Sequence, residues 1–136
     1  MTRTYPIPPG LFCVPAAICA ITGEDLLSRV MPALNRAQGN RMILGTVAGV
    51  RQHDTEAALQ ELGYRVFRYR KPNVRARLTT WAWRYPNTPL LVSTRGHMLV
   101  LHEGRVFDTQ APHGAPAAEH PYAHAIVFYA AQVQKK

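Results

Sequence analysis

Cysteine and acidic side chains are both scarce in this chain. Its 136 residues include two cysteines, Cys13 and Cys19, six positions apart. A helix through both would hold their Cα atoms about 9 Å apart, beyond the ~7 Å at which a disulfide closes. The spacing argues against a disulfide, so the cysteines read as reduced thiols, one or both open to chemical use. Eight Asp and Glu stand against sixteen Lys and Arg, a net charge of +8. That excess attracts polyanions or acidic partners over a Debye length of roughly 8 Å, without proving that one exists. No stretch approaches the roughly 20 apolar residues of a membrane span, and no segment repeats at a fixed period. Residues 1–10 lack the charged start and long apolar run of a secretory signal, which predicts a cytoplasmic protein.

With 47% hydrophobic and 18% charged residues, the sequence predicts a single domain over 1–136. Pro6, Pro8, Pro9 and Gly10 predict an extended arm over residues 1–10. From Val14 to Ile21 no residue is charged, so a helix here is apolar on all sides and runs through the interior, ended by Thr22 and Gly23. Thr22 and Asp25 have the spacing of a capping box for a second helix carrying Leu26, Leu27, Val30 and Leu34 on one stripe, kinked or divided by Pro32. Asp54 or Thr55 caps a third helix, with Ala57, Ala58, Leu59 and Leu62 apolar and Gly63 past its end.

Residues 64–69 read as a partly exposed strand and 74–84 as a short helix. Leu90–Thr94, Met98–His102, Arg105–Asp108 and Ala125–Tyr129 are β-type runs, and 131–136 reads as a polar tail. Helices come first and strands last. The expectation is an α+β domain in which a buried N-terminal helix and further helices pack on a C-terminal antiparallel sheet.

Cys13 sits where the buried helix opens, and there unpaired backbone N–H groups and the positive dipole end favour a thiolate. Cys19, mid-helix between Ile18 and Ile21, reads as a small core residue. A nucleophilic thiol needs a base and a group that orients the base. His97 stands at the mouth of an apolar strand. If Glu103 and Gly104 form a two-residue turn, His102 faces Arg105, Leu99 faces Asp108 and His97 faces Gln110. Asp108 is then diagonal to His97 on the same sheet face, within side-chain reach. It would fix the tautomer of His97 and support the imidazolium formed when Cys13 loses its proton. Cys13, His97 and Asp108 are therefore the candidate catalytic triad.

The segment Phe12–Ile18 resembles the Cys-Gly-Pro-Ala-Ala-Leu segment of papain-like cysteine peptidases that process bacteriocin leaders, and of small phage-encoded relatives. Ile21, Thr22 and Gly23 end the helix as theirs does. Thr55–Arg65 is similar to their third helix and following strand. Gly96 with His97, and Val106–Thr109, resemble their histidine and aspartate strands. The resemblance implies a papain-like fold and a cysteine peptidase or related thiol hydrolase cleaving an amide or isopeptide bond through a thioester, on a peptide or protein substrate. It implies the cytoplasm, that of a host cell if phage-encoded, and no cofactor. Two departures stand out: Val14 replaces the glycine, and residues 1–12 lack the glutamine that in such peptidases helps to hold the oxyanion. Asn40, Gln52 and Gln110 are the candidates to replace it.

The alternative is a catalytically impaired papain-like domain that binds a host protein or nucleic acid through a basic face. That face would comprise Arg65, Arg68, Arg70, Lys71, Arg75, Arg77 and Arg84, interleaved with Tyr64, Phe67, Tyr69, Trp81 and Trp83. The late histidines include His120 and His124 at i, i+4 spacing, but Pro121 lies between them and no Cys or carboxylate completes a zinc pattern. They read as surface residues, and no metal is assigned.

Overall fold

The uncharged run after Cys13 forms α1 (Cys13–Thr22) in a computed structural model that describes residues 4–7, 13–39, 52–70, 76–85, 87–94 and 97–136. Every residue of α1 beyond Cys13 is buried, as expected of a helix without a polar face. The helix stops because Gly23 takes a positive φ of 73°, from which its N–H reaches the Cys19 carbonyl at 2.9 Å. A Cβ at Gly23 would lie 2.7–2.9 Å from the ring of Tyr5, whose own N–H is bonded to the Ala20 carbonyl. Gly23→Ala combines this collision with a left-handed backbone. It is expected to lower stability by about 2 kcal/mol. A urea midpoint equal to that of the wild type would contradict this.

The second helix starts later than the capping-box spacing predicts. Thr22 is still inside α1 and its hydroxyl is committed to the Ile18 carbonyl at 2.6 Å. Asp25 caps instead, its carboxylate accepting from the N–H and hydroxyl of Ser28 at 2.9 and 2.8 Å. Pro32 divides the segment as expected: a π-helical turn (Leu26–Val30) precedes α2 (Met31–Ala37). A prolyl ring crowds the carbonyl four residues back, and widening the turn relieves this. The extra residue turns Leu27 out of the predicted stripe, leaving it 78% exposed. Helix α3 (Gln52–Glu61) begins two residues before Asp54, and Gly63 follows its end at φ 98°.

The strands are β1 (Tyr64–Arg68), β2 (Leu90–Thr94), β3 (His97–His102), β4 (Arg105–Phe107), β5 (Ala115–Pro116) and β6 (Tyr129–Lys135), with α4 (Leu78–Arg84) after β1. They form one antiparallel sheet in the order β1-β6-β2-β3-β4-β5. Side chains alternate across it. Leu91, Met98, Val100, Tyr129, Ala131 and Val133 pack with α1, α2 and α3 on one face. Leu90, Val92, Leu99, Leu101 and Val106 pack with Leu78 and Trp81 of α4 on the other. The helices and antiparallel sheet are the expected α+β architecture.

The predicted polar tail over 131–136 and the predicted strand over 125–129 are both corrected by β6. This strand runs from Tyr129 to Lys135 between β1 and β2. After the buried run Tyr129–Ala131, buried Val133 stands between half-buried Gln132 and exposed Gln134, so the second half of an interior strand has the composition of a tail. Glu56 of α3 secures it, accepting from the Tyr129 hydroxyl at 2.6 Å and from Arg68 of β1 at 2.5 and 2.8 Å. No helix among the described residues is long and apolar enough to cross a membrane.

Candidate active site

Helix α1 packs on β3, which sets Cys13 at the helix opening beside His97 and Met98 at the strand opening. Cys13 is partly exposed, whereas the rest of the helix is buried. Burial raises its thiol pKa. A hydrogen bond to His97, the N–H groups of Met98 and Cys13, and the charge of His97 outweigh that, and the thiol titrates below its ordinary 9.0. Cys19 has no such partners: burial and the charge of Asp25 push it up to about 11. Both cysteines are free thiols.

The β3–β4 hairpin has the predicted turn. Glu103 and Gly104 both take positive φ, 54° and 74°, as a two-residue type I′ turn requires. His102 pairs with Arg105, Leu101 with Val106 and Val100 with Phe107, which carries Asp108 to the diagonal of His97. Asp108 Oδ2 lies 2.8 Å from His97 Nε2, leaving Nδ1 for the thiol of Cys13. The bonds from Asp108 and Cys13 raise His97 from 6.5 to about 9 against the opposing effect of burial. Burial likewise acts to raise Asp108, but His97, His120 and the N–H of Ala111 hold it below 3.8.

The hairpin ends sooner than expected. Asp108 Oδ1 accepts from the N–H groups of Gln110 and Ala111 at 3.0 and 2.8 Å, and this side-chain turn competes with further strand pairing. Gln110 therefore does not face His97, and its side chain is exposed. Gln52 opens α3, which rests on α2 and β1 rather than on β3, and is also exposed. Asn40 lies outside the described residues.

His120 and Tyr122 belong to the site although nothing local in the sequence marks them. His113 and His124 are exposed as expected, but His120 is buried. Its Nε2 lies 2.8 Å from Asp108 Oδ2 and its Nδ1 accepts from the N–H of Tyr122 at 3.1 Å. The Tyr122 ring stacks on His97 with centroids 5.1 Å apart and planes 20° apart, and leans on His120 at 5.7 Å. The 3₁₀ turn Ala117–Glu119 after β5 returns this segment to the end of the hairpin. Among the described residues no group of three or more His, Cys, Asp and Glu is placed to hold a metal.

The arginines of the predicted basic face that lie among the described residues, Arg65, Arg68, Arg70, Arg77 and Arg84, are exposed, and Arg68 is engaged by Glu56. Lys71 and Arg75 lie outside the described residues. Tyr64 and Trp81 are core residues, and Tyr69, Trp81 and Tyr85 form a cluster with centroids 4.9–5.2 Å apart. These rings are engaged with one another. Phe67 and Trp83 are exposed.

A buried helix opening on a cysteine, packed with further helices on one face of an antiparallel sheet, gives the chain an α+β fold. Among solved structures the chain is similar to the peptidase domain of Streptococcus ComA, a bifunctional ABC transporter involved in a quorum-sensing pathway. The TM-score is 0.62 with 12% sequence identity, over 97% of this chain and 99% of that one. No protein-family profile and no curated protein sequence matches the chain. At this identity the likeness is one of fold.

Proposed function

We propose that this chain is a papain-like cysteine peptidase that hydrolyses an amide or isopeptide bond in a peptide or protein. The observation that carries the reading is the 2.8 Å contact of His97 Nε2 with buried Asp108, with Cys13 at the opening of α1 close enough for His97 to draw its thiol pKa down. The thiolate of Cys13 attacks the carbonyl carbon, and the N–H of Cys13 at the opening of α1 donates to the oxyanion. The His97 imidazolium gives its proton to the departing nitrogen, the C–N bond breaks and a thioester remains. Water then attacks the thioester as His97 takes a proton from it. The C–S bond breaks to give the carboxylate product, and the thiolate returns. Asp108 stays ionised throughout and holds the ring. The reading places the protein in a reducing compartment, where Cys13 persists as a thiol.

Exposed Arg65, Arg70, Arg77 and Arg84 favour a second reading, an impaired domain that binds an acidic partner. A proteome-derived peptide mixture separates the two. The peptidase reading expects new N-termini with the wild type and none with Cys13→Ala, read by mass spectrometry. Equal yields from both proteins, or no new termini from either, would overturn it.

A further inference from the structure

The chemistry proposed for Cys13, His97 and Asp108 leaves one buried ring unused. We propose that His120 is a positioning residue: a neutral ring that fixes Asp108 with one nitrogen and the Tyr122 segment with the other, holding His97 at its edge and at its face. This inference rests on the peptidase reading of the site and extends it.

Hydrogen-bond accounting gives His120 its state. The backbone N–H of Tyr122 can only donate, so Nδ1 of His120, 3.1 Å away, is an unprotonated acceptor. The ring proton is then on Nε2, which donates to Asp108 Oδ2 at 2.8 Å. Asp108 thus receives four donors: His97 and His120 on Oδ2, and the N–H groups of Gln110 and Ala111 on Oδ1. These use all of the roughly four lone-pair sites of a carboxylate, leaving no rotation that keeps its bonds. The side chain of Asp108 is fully buried and that of His120 nearly so, so a lost donor is not readily replaced by bulk water.

The neutrality of His120 matters to His97. A cation in its place would pair with the carboxylate and repel the imidazolium on the other side of it. A neutral donor satisfies Asp108 without that competition. Among the described residues the groups that face His97 are Cys13 from α1, Asp108 after β4 and the ring of Tyr122; His120 donates to Asp108 and accepts from the backbone N–H of Tyr122.

The test follows the His97 titration by NMR of the full chain with isotope-labelled histidine, alongside the rate of Cys13 alkylation. Wild type is compared with His120→Ala, His120→Gln and His120→Asn. A Gln amide nitrogen stands near the position of ring Nε2 and can donate to Asp108. An Asn oxygen stands near Nδ1 and can accept from Tyr122. His120→Ala is expected to lower the His97 midpoint from about 9 by about one unit and to slow alkylation at pH 7 about tenfold. His120→Gln is expected to recover most of the midpoint and His120→Asn little of it. An unchanged midpoint and rate in folded His120→Ala would overturn the proposal. If the alanine variant does not fold, equal midpoints in the Gln and Asn variants would overturn it. A wild-type His97 that titrates near 6.5 would overturn the reading of the site itself, a result separable from these.

Discussion

His97→Ala is expected to slow alkylation of Cys13 at pH 7 by about 100-fold, the low end of what a positioned acid–base partner contributes. The cause lies in the balance at the sulfur. Burial acts against the thiolate, and the hydrogen bond and charge of His97 are the main forces that overcome it. Without the ring, burial remains opposed by backbone N–H groups alone. The midpoint of the rate against pH is therefore expected to rise to the ordinary thiol value of 9.0 or above. In the wild type the rate rises at lower pH, and the profile bends again near 9 as His97 loses its proton. Cys19 is the internal reference: pushed up to about 11, it labels slowly in both proteins. Coincident wild-type and His97→Ala profiles would refute the ion pair, and with it the nucleophile assigned here.

Asp108→Ala is expected to be the most damaging single change to stability, lowering it by about 3 kcal/mol. It strands the donors of His97, His120, Gln110 and Ala111, and breaking a buried charge pair typically costs ~3–5 kcal/mol. Asp108→Asn keeps the shape and the oxygen that receives the two backbone N–H groups. It also places an amide donor toward two ring donors, so His97 loses its acceptor.

The pH dependence separates these contributions. His97 is raised from 6.5 to about 9, so its share of stability is fully present below pH 6.5 and is lost as pH rises through the folded value. Cys13 is lowered, so its share is present above 9.0 and is lost as pH falls through its folded value. Where both are charged in the native state the two slopes cancel. Cys13→Ser removes the second titration and, with it, the share of the His97 shift that Cys13 supplies; in that background stability is expected to fall as pH rises from 6.5 through a folded His97 value below that of the wild type, by ~1 kcal/mol, discounted for solvent reaching the ring. Adding Asp108→Asn is expected to flatten the slope. Urea midpoints across this range check both statements. A slope that persists in the double variant would remove Asp108 as its source.

The sequence by itself determined the parts of this molecule that depend on local chemistry. An uncharged run between a proline-rich segment and Gly23 forms a buried helix, and a cysteine stands at its opening. A glutamate and a glycine between two apolar runs set a type I′ turn, and the period of two then brings Asp108 to the diagonal of His97. What only the tertiary structure decided depends on chain return. The strand β6 has the polar alternation of a tail until β1 and β2 flank it and Glu56 ties it down. Gln110 matched the pattern, but the carboxylate of Asp108 took its backbone N–H and ended the strand. His120 follows no period and belongs to no strand or helix. It reaches Asp108 because the segment after β5 folds back over the hairpin. The carboxylate then has an acceptor site that neither backbone nor His97 fills, and no short-range pattern records where such a site will be.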